Sequence, residues 1–182
     1  GIYACPPAKR GKLAIRGEEK LIWNCAFSGC QEITSVYIPK TIQGIGDAAF
    51  GNMANCQEIL VSDKNPYYKS VDGILYTKDG KVLLAYPSGK RDKSFRIPKG
   101  VEHIASGAFV RADHLKKIIL SDSISYIQAL AFYACQKLNT VKSAKKIEYV
   151  DPRAFYMCPV KKKDQPKSIT DDSWADELDW RK

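Results

Sequence analysis

The chain has 182 residues, 45% of them apolar and 27% charged, with 29 Lys and Arg against 20 Asp and Glu for a net charge of +9. That size and mix read as one soluble globular domain with room for a real core. No apolar run reaches the roughly 18 residues that a membrane helix needs, which excludes a chain of spanning helices. A basic balance attracts nucleic acid, acidic glycans or anionic lipids, and the plainer alternative of a solvated lysine surface is the favoured one.

The chain opens with Gly1 rather than Met, which reads as a cloning scar with any export signal already removed. From there a repeat runs through most of the sequence. Its marker is Ala-Phe, at Ala26-Phe27, Ala49-Phe50, Ala108-Phe109, Ala131-Phe132 and Ala154-Phe155. The spacing is 23 from Phe27 to Phe50, from Phe109 to Phe132 and from Phe132 to Phe155, while Phe50 to Phe109 is 59, or 23 plus 36. One unit therefore carries a long insertion.

Other columns keep the same phase. Five residues before each Phe stand Ile22, Ile45, Ile104, Ile127 and Val150, and three before those Ile42, Val101, Ile124 and Ile147, with Glu19 as the exception. Three after each Phe come Cys30, Met53, Ala112, Cys135 and Cys158, then Ile33, Cys56, Leu115 and Leu138. Val36, Ile59, Ile118 and Val141 follow, and two residues later Ile38, Val61 and Leu120, with Ser143 breaking the column. A unit this short cannot bury its own apolar face, so the units must stack and turn the columns into internal ladders.

The Val-x-Ile step has the period of two of a short strand, and stacked copies form a parallel sheet on one face. Pro39 and Pro98 close their strands, since proline has no N–H for a ladder. Lys40 and Lys99 then begin the return across the other face. The stretch from Ala-Phe to the Cys column reads as one helical turn.

Residues 62–96 hold the insertion. Val71-Asp72-Gly73-Ile74-Leu75-Tyr76 and Val82-Leu83-Leu84-Ala85-Tyr86-Pro87 flank Lys78-Asp79-Gly80, which predicts a β-hairpin built into the stack. Tyr3-Ala4-Cys5-Pro6 echoes Leu84-Ala85-Tyr86-Pro87, and Ile15 leads to Ile22 over seven residues as Ile97 leads to Ile104. The chain thus reads as starting inside such a unit, either at a natural boundary or as a fragment of a longer array.

On these residues the sequence resembles the BspA-like leucine-rich repeats, whose pattern is Ile-x-x-Ile-Gly-x-x-Ala-Phe-x-x-Cys-x-x-Leu-x-x-Val-x-Ile-Pro. Residues 42–50 match it closely, and Asn65-Pro66-Tyr67-Tyr68-Lys69-Ser70-Val71-Asp72-Gly73-Ile74-Leu75-Tyr76 looks like the family's recurrent hairpin unit. The resemblance covers roughly residues 2–160. It implies a leucine-rich-repeat solenoid of the α/β class, β-rich, with a parallel sheet on one face, short helical turns on the other and an inserted hairpin. It also implies an exported or cell-surface protein of host-associated anaerobic bacteria, of which some are adhesins for extracellular-matrix proteins or cells. The family brings no catalytic motif.

The solenoid is expected over 1–160 and a capping segment over 161–182, because a solenoid end needs cover. Ser173-Trp174-Ala175-Asp176 has the form of a capping box, and Trp174 and Leu178 share a helix face. The rival is a free tail that binds a partner.

Little else carries chemistry. The Cys column also accepts Met53 and Ala112, so it asks for apolar volume, and its cysteines read as core residues. If a disulfide forms, stacked Cys135 and Cys158 are the expected pair. No zinc spacing is present. The two histidines, His103 and His114, are given no partner by the register, and no nucleophile, phosphate or dinucleotide motif is present. Asp63, Asp72 and Asp79 fit turns better than a calcium loop. No catalytic residue, metal or cofactor is therefore assigned, and an enzyme is the least favoured class.

Lys137, Lys142, Lys145, Lys146, Lys161, Lys162 and Lys163 crowd the C-terminal third without a nucleic-acid motif, which favours an acidic polysaccharide or acidic protein surface over nucleic acid. The expected binding surface is the outward side of the strands: Ser35, Tyr37, Glu58, Leu60, Lys117, Ile119, Thr140 and Lys142. Tyr37, Leu60 and Ile119 put apolar groups where solvation alone prefers polar ones. The leading expectation is thus a protein-binding or adhesion module at a bacterial surface, with a host matrix protein or acidic glycan as ligand. The alternative is a structural spacer in a longer surface protein.

Overall fold

The computed structural model describes residues 1–2, 4–5, 9–143 and 147–169. Within them the strands in chain order are β1 Gly11–Ala14, β2 Leu21–Ile22, β3 Ile33–Ile38, β4 Gly44–Ile45, β5 Glu58–Val61, β6 Tyr68–Val71 and β7 Ile74–Thr77. They continue as β8 Val82–Ala85, β9 Ser94–Arg96, β10 His103–Ile104, β11 Lys117–Ile119, β12 Tyr126–Ile127, β13 Thr140–Lys142 and β14 Tyr149–Val150. The chain winds as a solenoid with two strand faces. The expected Val-x-Ile strands pair in parallel as β1-β3-β5 and β9-β11-β13. The opposite face also carries parallel strands, pairing over two residues per coil, in β2-β4 and in β8-β10-β12-β14.

The helical turns expected after Ala-Phe are replaced by tight non-helical turns. Two residues before the Phe, the backbone is left-handed at Cys25, Ala48, Gly107 and Leu130, with φ of 55, 51, 67 and 56°. Two residues after it, Gly29, Asn52, Arg111, Ala134 and Met157 are left-handed again, with φ of 80, 54, 53, 55 and 60°. Left-handed residues on both sides of the Phe stop a right-handed helix. Neighbouring corners hold one another in this shape. Phe109 N–H donates to Ala131 O at 2.7 Å, Phe132 N–H to Ala154 O at 2.8 Å, and Arg111 N–H to Tyr133 O at 2.9 Å. The glycine of the Ile-Gly step has a related cause: a Cβ at Gly46 would collide with the backbone of Trp23 and Asn24 in the coil below.

The apolar columns form the core. Phe27, Phe50, Phe109, Phe132 and Phe155 are all buried, as are Ile22, Ile104, Ile127, Ile33, Leu115 and Leu138. The rings stack along the axis: Phe27 on Phe50 at 5.4 Å, Phe109 on Phe132 at 4.7 Å and Phe132 on Phe155 at 4.8 Å. Tyr86 stacks on Phe109 at 5.0 Å and so fills a Phe place. Its position explains the irregular gap, since Tyr86 lies 36 residues after Phe50 and 23 before Phe109. Ala85-Tyr86 is thus a disguised Ala-Phe.

The insertion is a three-stranded meander. β6 pairs antiparallel with β7, and β7 with β8. Asp72 and Gly73 link β6 to β7 with φ of 51 and 74°, the two positive values that a type I′ turn needs. β8 is at once the last hairpin strand and a regular rung, because Leu83 pairs with Ile104 of β10. Buried Asn65 ties the hairpin down. Its amide donates to Pro39 O at 2.9 Å and Ile42 O at 3.1 Å, and its oxygen accepts from Tyr67 N–H at 2.8 Å and Tyr68 N–H at 2.9 Å.

The cysteines differ from expectation. Cys5 and Cys30 are joined across adjacent coils, with 6.0 Å between their Cα atoms, so Cys30 is not a free core thiol. Cys135 and Cys158, the expected pair, remain thiols. Each points at a carbonyl of the preceding coil, Cys135 Sγ–H donating to Phe109 O at 2.9 Å and Cys158 Sγ–H to Phe132 O at 2.7 Å. The Cys5–Cys30 link closes a loop across 25 positions. Its removal in a Cys5→Ser/Cys30→Ser variant lowers the stability of the first coils by about 3 kcal/mol. Amide exchange at β1 and β3 should rise accordingly, with little change at β12 to β14. Unchanged exchange at β1 and β3 would show that the bond constrains nothing.

At the C-terminal side, Ser168 and Ile169 run beside the last coil. Ile169 N–H donates to Ile147 O at 2.8 Å, and Val150 N–H to Ser168 Oγ at 2.8 Å. The capping box at Ser173 with Trp174 and Leu178 lies outside the described residues, as do Lys145 and Lys146 of the lysine cluster and Tyr3 and Pro6 of the N-terminal echo.

Candidate functional site

The expected binding row is split into two patches. β5 does not pair with β9. The edge of β5 is taken by the hairpin instead: Ile59 N–H donates to Gly73 O at 2.8 Å, and Ser70 Oγ–H donates to Ile59 O. Ser35, Tyr37, Glu58 and Leu60 lie on the N-terminal side of this break, and Lys117, Ile119, Thr140 and Lys142 on the other.

In the first patch Tyr37 and Leu60 are direct neighbours across the β3–β5 pair, 43% and 38% exposed. Ser35 is a correction. It shares their side of the strand but is only 7% exposed. It pairs with Lys12 on one side and Glu58 on the other, and both side chains are longer than its own. Ser35 therefore floors a shallow hollow walled by Lys12, Asn55, Gln57 and Glu58.

The second patch continues past the strand ends into a hollow spanning three coils, lined by Arg96, Ile97, Lys99, Ile119, Leu120, Ser121, Asp122, Ser123, Lys142 and Ser143. Arg96 and Lys142 flank Ile119 on either side in the β9-β11-β13 register. Among the described residues, the ion pairs join Gly1 to Glu19, Lys81 to Glu102, Arg111 to Asp113 and Arg153 to Asp151, so none engages Arg96, Lys99 or Lys142. Ser123 Oγ–H donates to Val101 O at 2.7 Å and accepts from Gly100 N–H at 3.1 Å, with Ser121 Oγ 2.9 Å away. Arg96 and Lys99 are absent from the sequence-derived set. Arg96 lies one period, 23 residues, before Ile119, and the signal was hidden by Tyr86 standing for Phe in that coil.

Among the described residues, the reactive side chains form no catalytic constellation. Burial pushes the Cys56 thiol up to about 11, well away from a nucleophile's range. The neighbouring Cys158 thiol, then burial, holds the proton on Cys135. His103 stacks on Tyr126 at 4.9 Å, and Tyr126 is followed by Tyr149, an aromatic row on the opposite face. Asp79 serves its turn, accepting from Thr77 Oγ1–H at 2.7 Å and Lys81 N–H at 3.0 Å. Those bonds, Thr77 first, hold its carboxyl below the usual range. Among the described residues no group of three or more His, Cys, Asp or Glu could hold a metal, and no helix is long and apolar enough to cross a membrane.

Stacked short strands, tight left-handed corners and ladders of Ile, Leu and Phe define a leucine-rich-repeat solenoid, a class that is generally non-catalytic and typically binds proteins. The chain belongs to the BspA type leucine-rich repeat family, whose repeat matches six times over residues 11–70 and 89–173. Curated proteins give no match. Among solved structures, the chain is similar to the pneumococcal vaccine antigen PcpA, with 25% identity and a TM-score of 0.70 over 84% of this chain and 44% of that one. It is similar in fold to a leucine-rich cell surface protein of Faecalibacterium prausnitzii, at 22% identity and a TM-score of 0.64, over 83% of this chain and 46% of that one. A leucine-rich repeat protein of Eubacterium ventriosum gives 23% and 0.62, over 76% and 43%. The chain spans under half the length of each of these proteins.

Proposed function

We propose that this chain is a non-catalytic binding module of a secreted or surface-attached bacterial protein, and that it docks a protein partner, such as a host extracellular-matrix protein, on the strand face carrying Tyr37 and Leu60. The observation that carries the reading is this apolar pair, side by side and open to solvent on a rigid parallel sheet. An aromatic beside an aliphatic group on a preformed surface costs little ordering entropy on binding. Lys12 and Glu58 give the pair a polar rim. Export is supported by the Cys5–Cys30 disulfide, since such bonds persist in oxidising compartments, and by the surface location named for the Faecalibacterium protein. A spacer is the second reading, favoured by the corner hydrogen bonds that run from coil to coil and stiffen the rod.

The test is saturable binding to a panel of matrix proteins by the chain and by a Tyr37→Ser/Leu60→Ser variant. A hot-spot pair predicts a loss of about tenfold or more at an unchanged melting temperature. Equal binding by both would move the partner off this face. Absence of binding by the parent chain would leave the spacer as the better account.

A further inference from the structure

We propose that the hollow between Arg96, Lys99 and Lys142 is a binding site for an acidic polysaccharide, taking its sulfate or carboxylate groups on the three cations and a sugar face on Ile119. The proposal rests on the chain being a binding module, but it concerns a different surface from the Tyr37–Leu60 patch.

Charge is the first argument. The lining holds three cations against one carboxylate, Asp122. None of the three cations takes part in an ion pair with a described residue. A structural role for clustered cations would pair them with acids; these face a concave surface unpaired, where like charges focus potential toward an anion.

Register is the second argument. Arg96 and Lys142 sit on strands two apart with Ile119 between them. Adjacent strands are about 4.8 Å apart, so the sheet sets the backbones that carry the two cations at roughly twice that spacing. A linear polymer with regularly spaced charges matches the repeat of such an array. Arg96 offers a planar fork for a sulfate or carboxylate, and the two lysines act as point charges.

The hydroxyls decide between a sugar and an acidic peptide. Ser123 has committed its proton to Val101 O and accepts from Gly100 N–H. Ser121 is bonded to Pro98 O or to Ser123, and in either case keeps oxygen lone pairs. Asp122 adds an acceptor-only carboxylate at the rim. The neutral part of the lining thus offers acceptors, and it suits a ligand that brings hydroxyl donors as well as anions. A poly-acidic peptide brings carboxylates but no hydroxyl donors, so it leaves these acceptors unmet. Ile119, half-buried, and the alkyl stems of Arg96 and Lys142 supply the apolar surface on which a sugar ring's C–H face can lie.

The test uses the full chain and calorimetric titration with four probes: a heparin fragment, a polyuronate, neutral dextran and poly-glutamate. An Arg96→Gln/Lys99→Gln/Lys142→Gln variant is compared with a control, Lys161→Gln/Lys162→Gln/Lys163→Gln, which removes the same charge elsewhere. Expected is salt-sensitive binding of the heparin fragment, the polyuronate or both, and none of dextran. The hollow variant should weaken it by about tenfold or more and the control by less than about threefold. Preference between the first two probes says whether sulfate or carboxylate is the natural anion. Equal losses in the two variants would reduce the effect to net charge and overturn the proposal, as would tighter binding of poly-glutamate or no polysaccharide binding at all. Matrix-protein binding measured on the same hollow variant separates this result from the Tyr37–Leu60 patch.

Discussion

Phe132→Ala should lower the stability of the solenoid by about 3–5 kcal/mol, the range for truncating a fully buried ring in a core that cannot collapse onto the gap. Phe132 is fully buried between two stacked rings, Phe109 at 4.7 Å and Phe155 at 4.8 Å and nearly parallel. Its backbone is pinned as well, with its N–H on Ala154 O and its carbonyl accepting from Cys158 Sγ–H. The coils therefore cannot slide together to close the cavity. A repeat protein is stabilised chiefly through neighbouring interfaces, so the loss falls on the coils from β10 onward. Urea denaturation followed by amide exchange should show those coils opening first, with β1, β3 and β5 still protected. Phe132→Leu, which keeps most of the volume, should cost less than about 2 kcal/mol. A uniform loss along the chain would mean that the solenoid unfolds as one unit.

Asn65→Ala should cost about 4 kcal/mol, far more than its three lost side-chain atoms suggest. The side chain meets two carbonyls and two N–H groups at 2.8 to 3.1 Å in a site with almost no solvent. Leaving buried partners unmade costs about 1 kcal/mol or more for each group. Asn55→Ala gives the comparison: Asn55 is exposed and its amide makes one bond, to Gln31 O at 2.8 Å, so its loss should stay near or below about 1 kcal/mol. Thermal unfolding of the two variants checks this directly. A small effect at Asn65 would mean that water replaces the side chain and that the hairpin is held by its strands alone. The same variant should raise amide exchange in β6 and β7, which Asn65 joins to the preceding coil.

Most of the fold was legible because its energy lies in a periodic code. Phe27, Phe50, Phe109, Phe132 and Phe155 recur in phase, and burial of all of them follows from stacking. The hairpin was legible for a local reason, since Lys78-Asp79-Gly80 between apolar runs has few other conformations. The helical turn was misread because Ala, Leu and Met are good helix formers. Nothing local announces that Ala48, Leu130 or Met157 adopts φ near +50 to +60°. Hydrogen bonds from neighbouring corners, such as Ala134 N–H to Tyr156 O at 3.0 Å, support that conformation, and they exist only once coils are stacked.

The candidate site was legible in part. Alternation placed Tyr37, Leu60, Ile119 and Lys142 on the outward side. It could not show that Ser35 is overshadowed by Lys12 and Glu58, because that depends on strands more than twenty residues apart. Nor could it show the hairpin dividing the face, or Arg96 and Lys99 joining Lys142 around one hollow. Cysteine pairing failed for the same reason: Cys135 and Cys158 are equivalent in the column, but the disulfide joins Cys30 of that column to Cys5, which lies outside it. By itself, then, the sequence determined the repeat, the inward ladders and the family, since hydrophobic periodicity is a one-dimensional property. Tertiary structure alone decided the turn conformations, the disulfide and the shape of the surface, because each depends on which residue of one coil lies beside which residue of the next.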